Sequence, residues 1–264
     1  MFLSGEEQAL TEEYLRQGYI IRPVADQKAL TWIRKKFISL STQELKVEDK
    51  LSPENWLNQI HEYISVEGLN DFRMKMIRGI NAEADCRKNY FHLASPFLET
   101  LVGNELAMQL RVNLSIQFPD DDSSLLPVHA DTWSGDSPFE VVVWTPLVDC
   151  YRSKTMYLLP PQHNKDIERT FALHSGSSSE DLFHKISDQV QWLEVKYGEV
   201  LIFNQVLPHG NRVNTEKETR WSMNCRFKGV FTPYGDKKLG EFFEPVTLRA
   251  ASKTGMEYQH PDVS

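Results

Sequence analysis

Arg220-Trp221-Ser222-Met223-Asn224-Cys225-Arg226-Phe227 is the stretch that decides the fold of this sequence. Polar and apolar residues alternate without interruption, which is the period-two pattern of a β-strand with one polar and one apolar face. An earlier segment repeats it: Arg111, Asn113, Ser115 and Gln117 alternate with Val112, Leu114, Ile116 and Phe118. The apolar rows, with Trp, Leu, Ile and Phe among them, have to be covered by other elements to leave water. The polar rows have two destinations, bulk solvent or a wet cavity. The pattern of the strands taken alone favours solvent; the placement of the histidines shifts the balance to the cavity.

Around these two stretches the period-two rhythm continues. Further strands are expected at 139–148, 155–159, 190–195, 200–204 and 219–230, separated by segments rich in Gly, Pro, Asp and Ser. That is the rhythm of an antiparallel sandwich or barrel. The first hundred residues read differently, as helices. Ser4 with Glu7 forms a capping-box pattern, and Gly18 is a stop before the extended Tyr19-Ile20-Ile21. A second helix is expected from Asp26, with Leu30, Ile33, Phe37 and Leu40 on one stripe. Ser52-Pro53 and Ser95-Pro96 each put a capping residue before a proline suited to the first turn, predicting helices near 53–65 and 96–102, the latter ended by Gly103. The expected class is therefore α+β with a mainly β core and the N-terminal helices packed on one sheet. With no repeat, low-complexity tract or linker, residues 1–264 are expected to form a single domain: 1–105 mainly helical support, 106–232 the β core, and 233–264 a C-terminal extension.

Composition narrows the function classes. At 264 residues, 41% hydrophobic and 11% aromatic, the chain is that of an ordinary globular protein, and no segment approaches the roughly 20 apolar residues of a membrane helix. The start, Met1-Phe-Leu-Ser-Gly-Glu-Glu7, lacks a basic stretch followed by an apolar run, so a cytoplasmic protein is expected. Cys86, Cys150 and Cys225 are odd in number and unpaired in spacing, which predicts small core or surface residues and no disulfide scaffold. A net charge of −8 disfavours nucleic acid. The basic run Arg73, Lys75, Arg78, Arg87 and Lys88 reads as a solvated helix face.

His129-Ala130-Asp131 offers chemistry. In an extended segment residues two apart project to one side, so an imidazole and a carboxylate can reach one ion. His209, in Leu207-Pro208-His209-Gly210, supplies a second imidazole. Two histidines and one carboxylate without a thiolate are the facial triad of non-haem iron(II) sites, which keeps coordination positions open. The remaining histidines, His61, His92, His163, His174, His184 and His260, read as ordinary core or surface residues. Arg220, eleven positions after His209, begins the polar row, and its planar fork fits a carboxylate in two parallel hydrogen bonds. Ser222 is on the same side. The bland alternative for Arg220 is a surface pair with Glu216 or Glu218.

These residues resemble the iron(II)/2-oxoglutarate oxygenases of the double-stranded β-helix superfamily, and within it the phytanoyl-CoA hydroxylase-like branch. The resemblance covers roughly residues 105–230, with a weaker likeness at 5–22. His129-Ala130-Asp131 matches the HxD motif, His209 the distal histidine, Asn214 an asparagine five positions after it, and Arg220-Trp221-Ser222 the RxS variant. Trp144 is at the place of a strand tryptophan lining the cosubstrate pocket. The segment 156–163 resembles one that usually ends Pro-Gly-Ser-His, and departs from it with Pro161-Gln162. Residues 129–140 are similar to a bacterial group found in carbohydrate-biosynthesis clusters.

The resemblance implies a jelly-roll, cupin-like fold and three small ligands: Fe(II) on His129, Asp131 and His209, the cosubstrate 2-oxoglutarate on Arg220, Ser222 and Trp144, and O2. Asn113, on the polar face of the first strand, is a further candidate cosubstrate contact, with an ordinary barrel-interior hydrogen bond as its alternative. It also implies a small-molecule substrate, a carbohydrate or similar polar metabolite, whose C–H bond is oxidised with release of succinate and CO2. Asp131, where halogenating relatives have a small residue, implies hydroxylation or desaturation. Trp133, Asp136 and Glu140 follow the HxD as candidate substrate contacts. The competing reading is a non-oxygenase cupin-like protein such as a sugar epimerase or metal sensor, which would have no need of Arg220 and Ser222.

Overall fold

The computed structural model describes residues 2–47, 51–170 and 178–261; His174 lies outside them. The chain opens with α1 (Gly5–Gln17), capped by the Ser4–Glu7 box and stopped by Gly18 at φ +82°. There the left-handed backbone and the Leu207 methyl leave no room for a β-carbon. After β1 (Tyr19–Pro23) come α2 (Gln27–Leu45), whose Asp26 cap accepts two backbone N–H bonds, α3 (Pro53–Asn58), α4 (Val66–Ala82), α5 (Cys86–His92) and α6 (Ser95–Leu101). The helix expected over 53–65 is split: α3 ends at Asn58 and a short 3-10 turn, Ile60–Glu62, follows. At α6 the cap is Ala94 rather than Ser95, which starts the helix itself.

The β core runs β2 (Leu106–Gln109), β3 (Asn113–Gln117), β4 (Glu140–Pro146), β5 (Met156–Leu158), then α7 (Pro161–Thr170) and α8 (Ser179–Ile186), then β6 (Gln191–Leu193), β7 (Glu199–Asn204), β8 (His209–Gly210) and β9 (Arg220–Gly229). Strand β10 (Phe243–Pro245) and α9 (Ala250–Glu257) close it. All strand pairs are antiparallel. Seven strands form the larger sheet, in the order β1-β7-β4-β9-β2-β10 with β3 beside the first half of β9, and β6-β5-β8 form the smaller one. The two sheets make the double-stranded β-helix. Each strand expected from the alternation is present within two residues at either end.

The two faces of β9 are sorted by polarity. Trp221, Met223, Cys225 and Phe227 are fully buried against the helices, where the Trp221 ring meets Phe37 and Phe72 edge-on at 6.0 and 6.1 Å. Its indole N–H donates to the Leu57 carbonyl. This packing joins α2, α4 and the sheet into one core, and truncating such a tryptophan costs about 3–5 kcal/mol. All three cysteines are buried and free within the protein interior, their thiols pushed up to about 12 by burial. No helix among the described residues is long and apolar enough to cross a membrane.

Candidate active site

The polar row of β9 faces inward, between the sheets. Register fixes its neighbours: Arg220 pairs with Gln117, Ser222 with Ser115 and Asn224 with Asn113 on β3, while Asn224 faces Trp144 and Arg226 faces Val142 on β4. Side chains of these strands wall a cavity of about 90 Å³ that also takes in His129, Asp131, His209, Trp144 and Met156.

At its mouth three donors converge. His129 and His209 form an isolated antiparallel bridge, with backbone N–H···O bonds of 3.0 and 2.8 Å, so their rings lie 4.4 Å apart. Asp131 does not continue the extended segment as the sequence suggested but opens a 3-10 turn, Asp131–Ser134, with its own N–H tied to the Gln205 carbonyl at 3.1 Å. One donor atom from each residue comes within 4.8 Å of the others. Each imidazole is oriented by its own loop: Nδ1 of His129 donates to the Pro127 carbonyl at 2.8 Å and Nδ1 of His209 to that of Leu207 at 2.9 Å. The lone pairs on both Nε2 atoms are thereby freed for a ligand. Burial, with His129 beside it, pulls His209 down to about 4, leaving it neutral at physiological pH. Burial works to raise Asp131, but the neighbouring His129, His209 and Arg226 outweigh it and hold the carboxyl well below the usual range. Two imidazoles that turn Nε2 toward one point and one carboxylate fit a divalent transition metal.

On the far wall Arg220 is enclosed completely. Its Nη1 donates to the Thr155 carbonyl at 2.9 Å and Nη2 to Ser115 Oγ at 2.8 Å, while Nε and the neighbouring Ser222 Oγ are buried without a partner. No carboxylate among the described residues pairs with it. The two acidic residues that a surface arginine here would use are engaged elsewhere, Glu218 by Lys154 and Glu216 by Arg152. Burial lowers the guanidinium to about 10, so it stays cationic at neutral pH. A buried cation without a counter-ion is costly, and an anionic ligand entering the cavity would remove that cost.

The other residues singled out from the sequence fall in several places. Trp144 lines the cavity. The amide of Asn113 donates to Asn224 Oδ1 at 3.0 Å, and it is Asn224 that reaches the wall. Asn214, buried in the turn between the distal histidine and Arg220, accepts from the Glu216 N–H and donates to the Glu218 carbonyl, so it shapes the return of the chain. Trp133 is part-exposed and borders a separate groove with Asn164 and Glu168. Asp136 and Glu140 are not brought to the cavity. The Asp136 carboxylate lies between Arg226 and Lys237, and that of Glu140 accepts from the Ser137 N–H and the Gln205 amide. The departing segment Pro161-Gln162 opens α7.

Sequence reasoning missed the support of Asp131. Arg226 Nη2 grips Asp131 Oδ2 at 2.8 Å, and its other nitrogens reach Asp136, Gln205 and Gln109. The signal was present, since Arg226 shares the inward row with Arg220, but its partners come from distant loops.

Fold and site together define a double-stranded β-helix protein with a two-histidine, one-carboxylate cluster and a buried arginine on the opposite cavity wall. No family model and no curated protein matches the sequence. Among solved structures it is similar to the non-heme alpha-ketoglutarate-dependent carbocyclase SnoK from nogalamycin biosynthesis, at a TM-score of 0.58 and 18% identity over 93% of this chain and 97% of that one. It is also similar to the non-heme monooxygenase ThoJ, at 0.54 and 13% identity over 91% and 84% of the two chains. A third likeness is to HygX from Streptomyces hygroscopicus with nickel and 2-oxoglutarate bound, at 0.52 and 12% identity over 90% of each.

Proposed function

We propose that this chain is an iron(II)- and 2-oxoglutarate-dependent oxygenase acting on a C–H bond of a small polar metabolite. One observation carries the reading: a metal-competent triad and an uncompensated buried guanidinium share one cavity. In the absence of an anion the Arg220 charge has no evident structural use. In its presence the same residue, with Ser222 Oγ and Ser115 Oγ beside it, becomes a carboxylate clamp.

The residues present fit the implied group. His129 Nε2, His209 Nε2 and Asp131 Oδ1 would hold Fe(II), and Arg220 would take the far carboxylate of 2-oxoglutarate. When bound, iron and the 2-oxo acid supply the oxidising chemistry, which belongs to the cofactor rather than to the protein. The chain contributes position and enclosure. Trp144 and Met156 flank the cosubstrate space with apolar surface that excludes water. Asp131, locked by Arg226, presents a single oxygen toward the histidines. Asn224 and Asn211 add polar edges suited to a hydroxylated substrate. HygX, solved with nickel and 2-oxoglutarate, and SnoK, described as alpha-ketoglutarate dependent, support the cosubstrate assignment by analogy of fold. We further read the substrate as a sugar or sugar derivative, the chain as one domain, and its location as the cytoplasm, in keeping with three reduced, buried cysteines.

The test is succinate formation from 2-oxoglutarate by the Fe(II)-loaded protein without added substrate. Wild-type protein should produce it, and His129→Ala and Asp131→Ala should fall to background while retaining their fold. Succinate release at wild-type rates from both variants would refute the assignment.

A further inference from the structure

Lys237 lies beyond the β core, yet its ammonium is 2.5 Å from Asp136 Oδ2. The other oxygen of Asp136 lies 3.2 Å from Arg226 Nε as an ion pair without a hydrogen bond, the Nε–H being donated to Gln205 Oε1, and Arg226 Nη2 grips Asp131 Oδ2 at 2.8 Å. Charges therefore alternate along one line from the exterior to the triad: Lys237, Asp136, Arg226, Asp131. Asp136 is almost wholly enclosed, with a side-chain exposure of 1%, whereas Lys237 keeps 27%.

The turn that carries Lys237 is seated on the loop after Asp131 by several independent contacts. Asp236 N–H donates to the Gly135 carbonyl at 2.9 Å and Ser137 Oγ donates to the Pro233 carbonyl at 2.6 Å, while Lys228 Nζ, on β9, ties the start of the turn to the sheet through the carbonyls of Thr232 and Pro233. The approach is close enough to require glycine on both sides. A β-carbon on Gly235 would lie 2.2 Å from the Gly135 carbonyl oxygen, and one on Gly135, at φ +86°, would lie 2.2 Å from Asp236 Oδ2.

We propose that the turn 233–238 is a working part of the metal centre, with Lys237 a positioning residue that acts on Asp131 through Asp136 and Arg226. This rests on the metal-site reading above. Lys237 fixes Asp136, Asp136 holds the guanidinium by charge beside the Nε–H bond to Gln205, and the guanidinium occupies one oxygen of Asp131 so that the other is left for the ion. Remove the ammonium, and the released Asp136 oxygen competes for the Arg226 N–H groups, loosening the hold on Asp131. Partners of metal ligands typically contribute 10–100-fold to affinity, and the most remote member of a chain belongs at the low end.

The experiment is Co(II) titration of the metal-free protein, followed by the visible ligand-field bands, beside thermal midpoints measured without metal. Lys237→Met should weaken Co(II) binding roughly tenfold and alter the bands, and Lys237→Arg should restore both. Arg226→Lys/Lys237→Met should bind no worse than Arg226→Lys alone, because a relay is non-additive. If Lys237→Met folds poorly, Gly235→Ala, which lifts the turn from outside, should give the same loss. Wild-type affinity and bands in Lys237→Met and Gly235→Ala, or full additivity in the double variant, would overturn the relay alone. Wild-type protein that takes up no Co(II) would overturn the metal reading and the relay with it.

Discussion

Arg220 and Arg226 stand six residues apart on the same inward face of β9, and they are opposites. Arg226 is surrounded by compensation, with carboxylates of Asp131 and Asp136 and the amide oxygens of Gln205 and Gln109 in reach. Among the described residues Arg220 has a carbonyl and a hydroxyl and no anion. A guanidinium whose charge is neutralised inside the fold serves the fold; one left unneutralised in a cavity is prepared for something that arrives from outside. The difference separates structure from recognition on a single strand, and it can be broken experimentally because the two should respond to substitution with different signs.

The largest effect is expected for Arg226→Met. It removes the cation that Asp131 and Asp136 share and leaves Asp131 without one, and breaking a buried pair from one side costs about 3–5 kcal/mol. Chemical denaturation of the metal-free variant should report that loss. Arg220→Leu should show no such penalty, since it removes an uncompensated charge, yet it should raise the 2-oxoglutarate requirement by an amount on the order of 2–5 kcal/mol, at least ~30-fold. Succinate release as a function of 2-oxoglutarate concentration measures it. Destabilisation of the metal-free protein by Arg220→Leu, with an unchanged cosubstrate requirement, would make the two arginines alike. The smallest effect belongs to Ser222→Ala. Its hydroxyl has no partner among the described residues, so stability should hold while cosubstrate affinity falls by about 1 kcal/mol, one ordinary hydrogen bond.

The comparison also marks what could be read in the sequence. The alternation of β9 located Arg220 and Arg226 on one face and Trp221 and Phe227 on the other, because period two is a purely local property. HxD and the distal histidine were legible as short motifs, although Asp131 opens a 3-10 turn rather than continuing the extended segment. The inward direction of the polar row was not, since a solvated face has the same pattern; burial of Arg220 decided it. Partnerships across long separations were equally hidden. Asp136 looked like a substrate contact five residues after Asp131, but Lys237, a hundred residues on, and Arg226 take its carboxylate. Glu140 read the same way and is held by Gln205, with burial the main cause that raises its carboxyl. Helix α7 was not expected from the sequence, although Pro161 in its first turn is compatible with a helix start.

The most direct measurement is calorimetric titration of 2-oxoglutarate into anaerobic, Fe(II)-loaded protein. One equivalent should bind to the wild type, and binding should weaken at least ~30-fold both when the metal is omitted and in Arg220→Leu. Equal affinity in all three samples would contradict the account, because the cation and the triad would then not be the two ends of a single site.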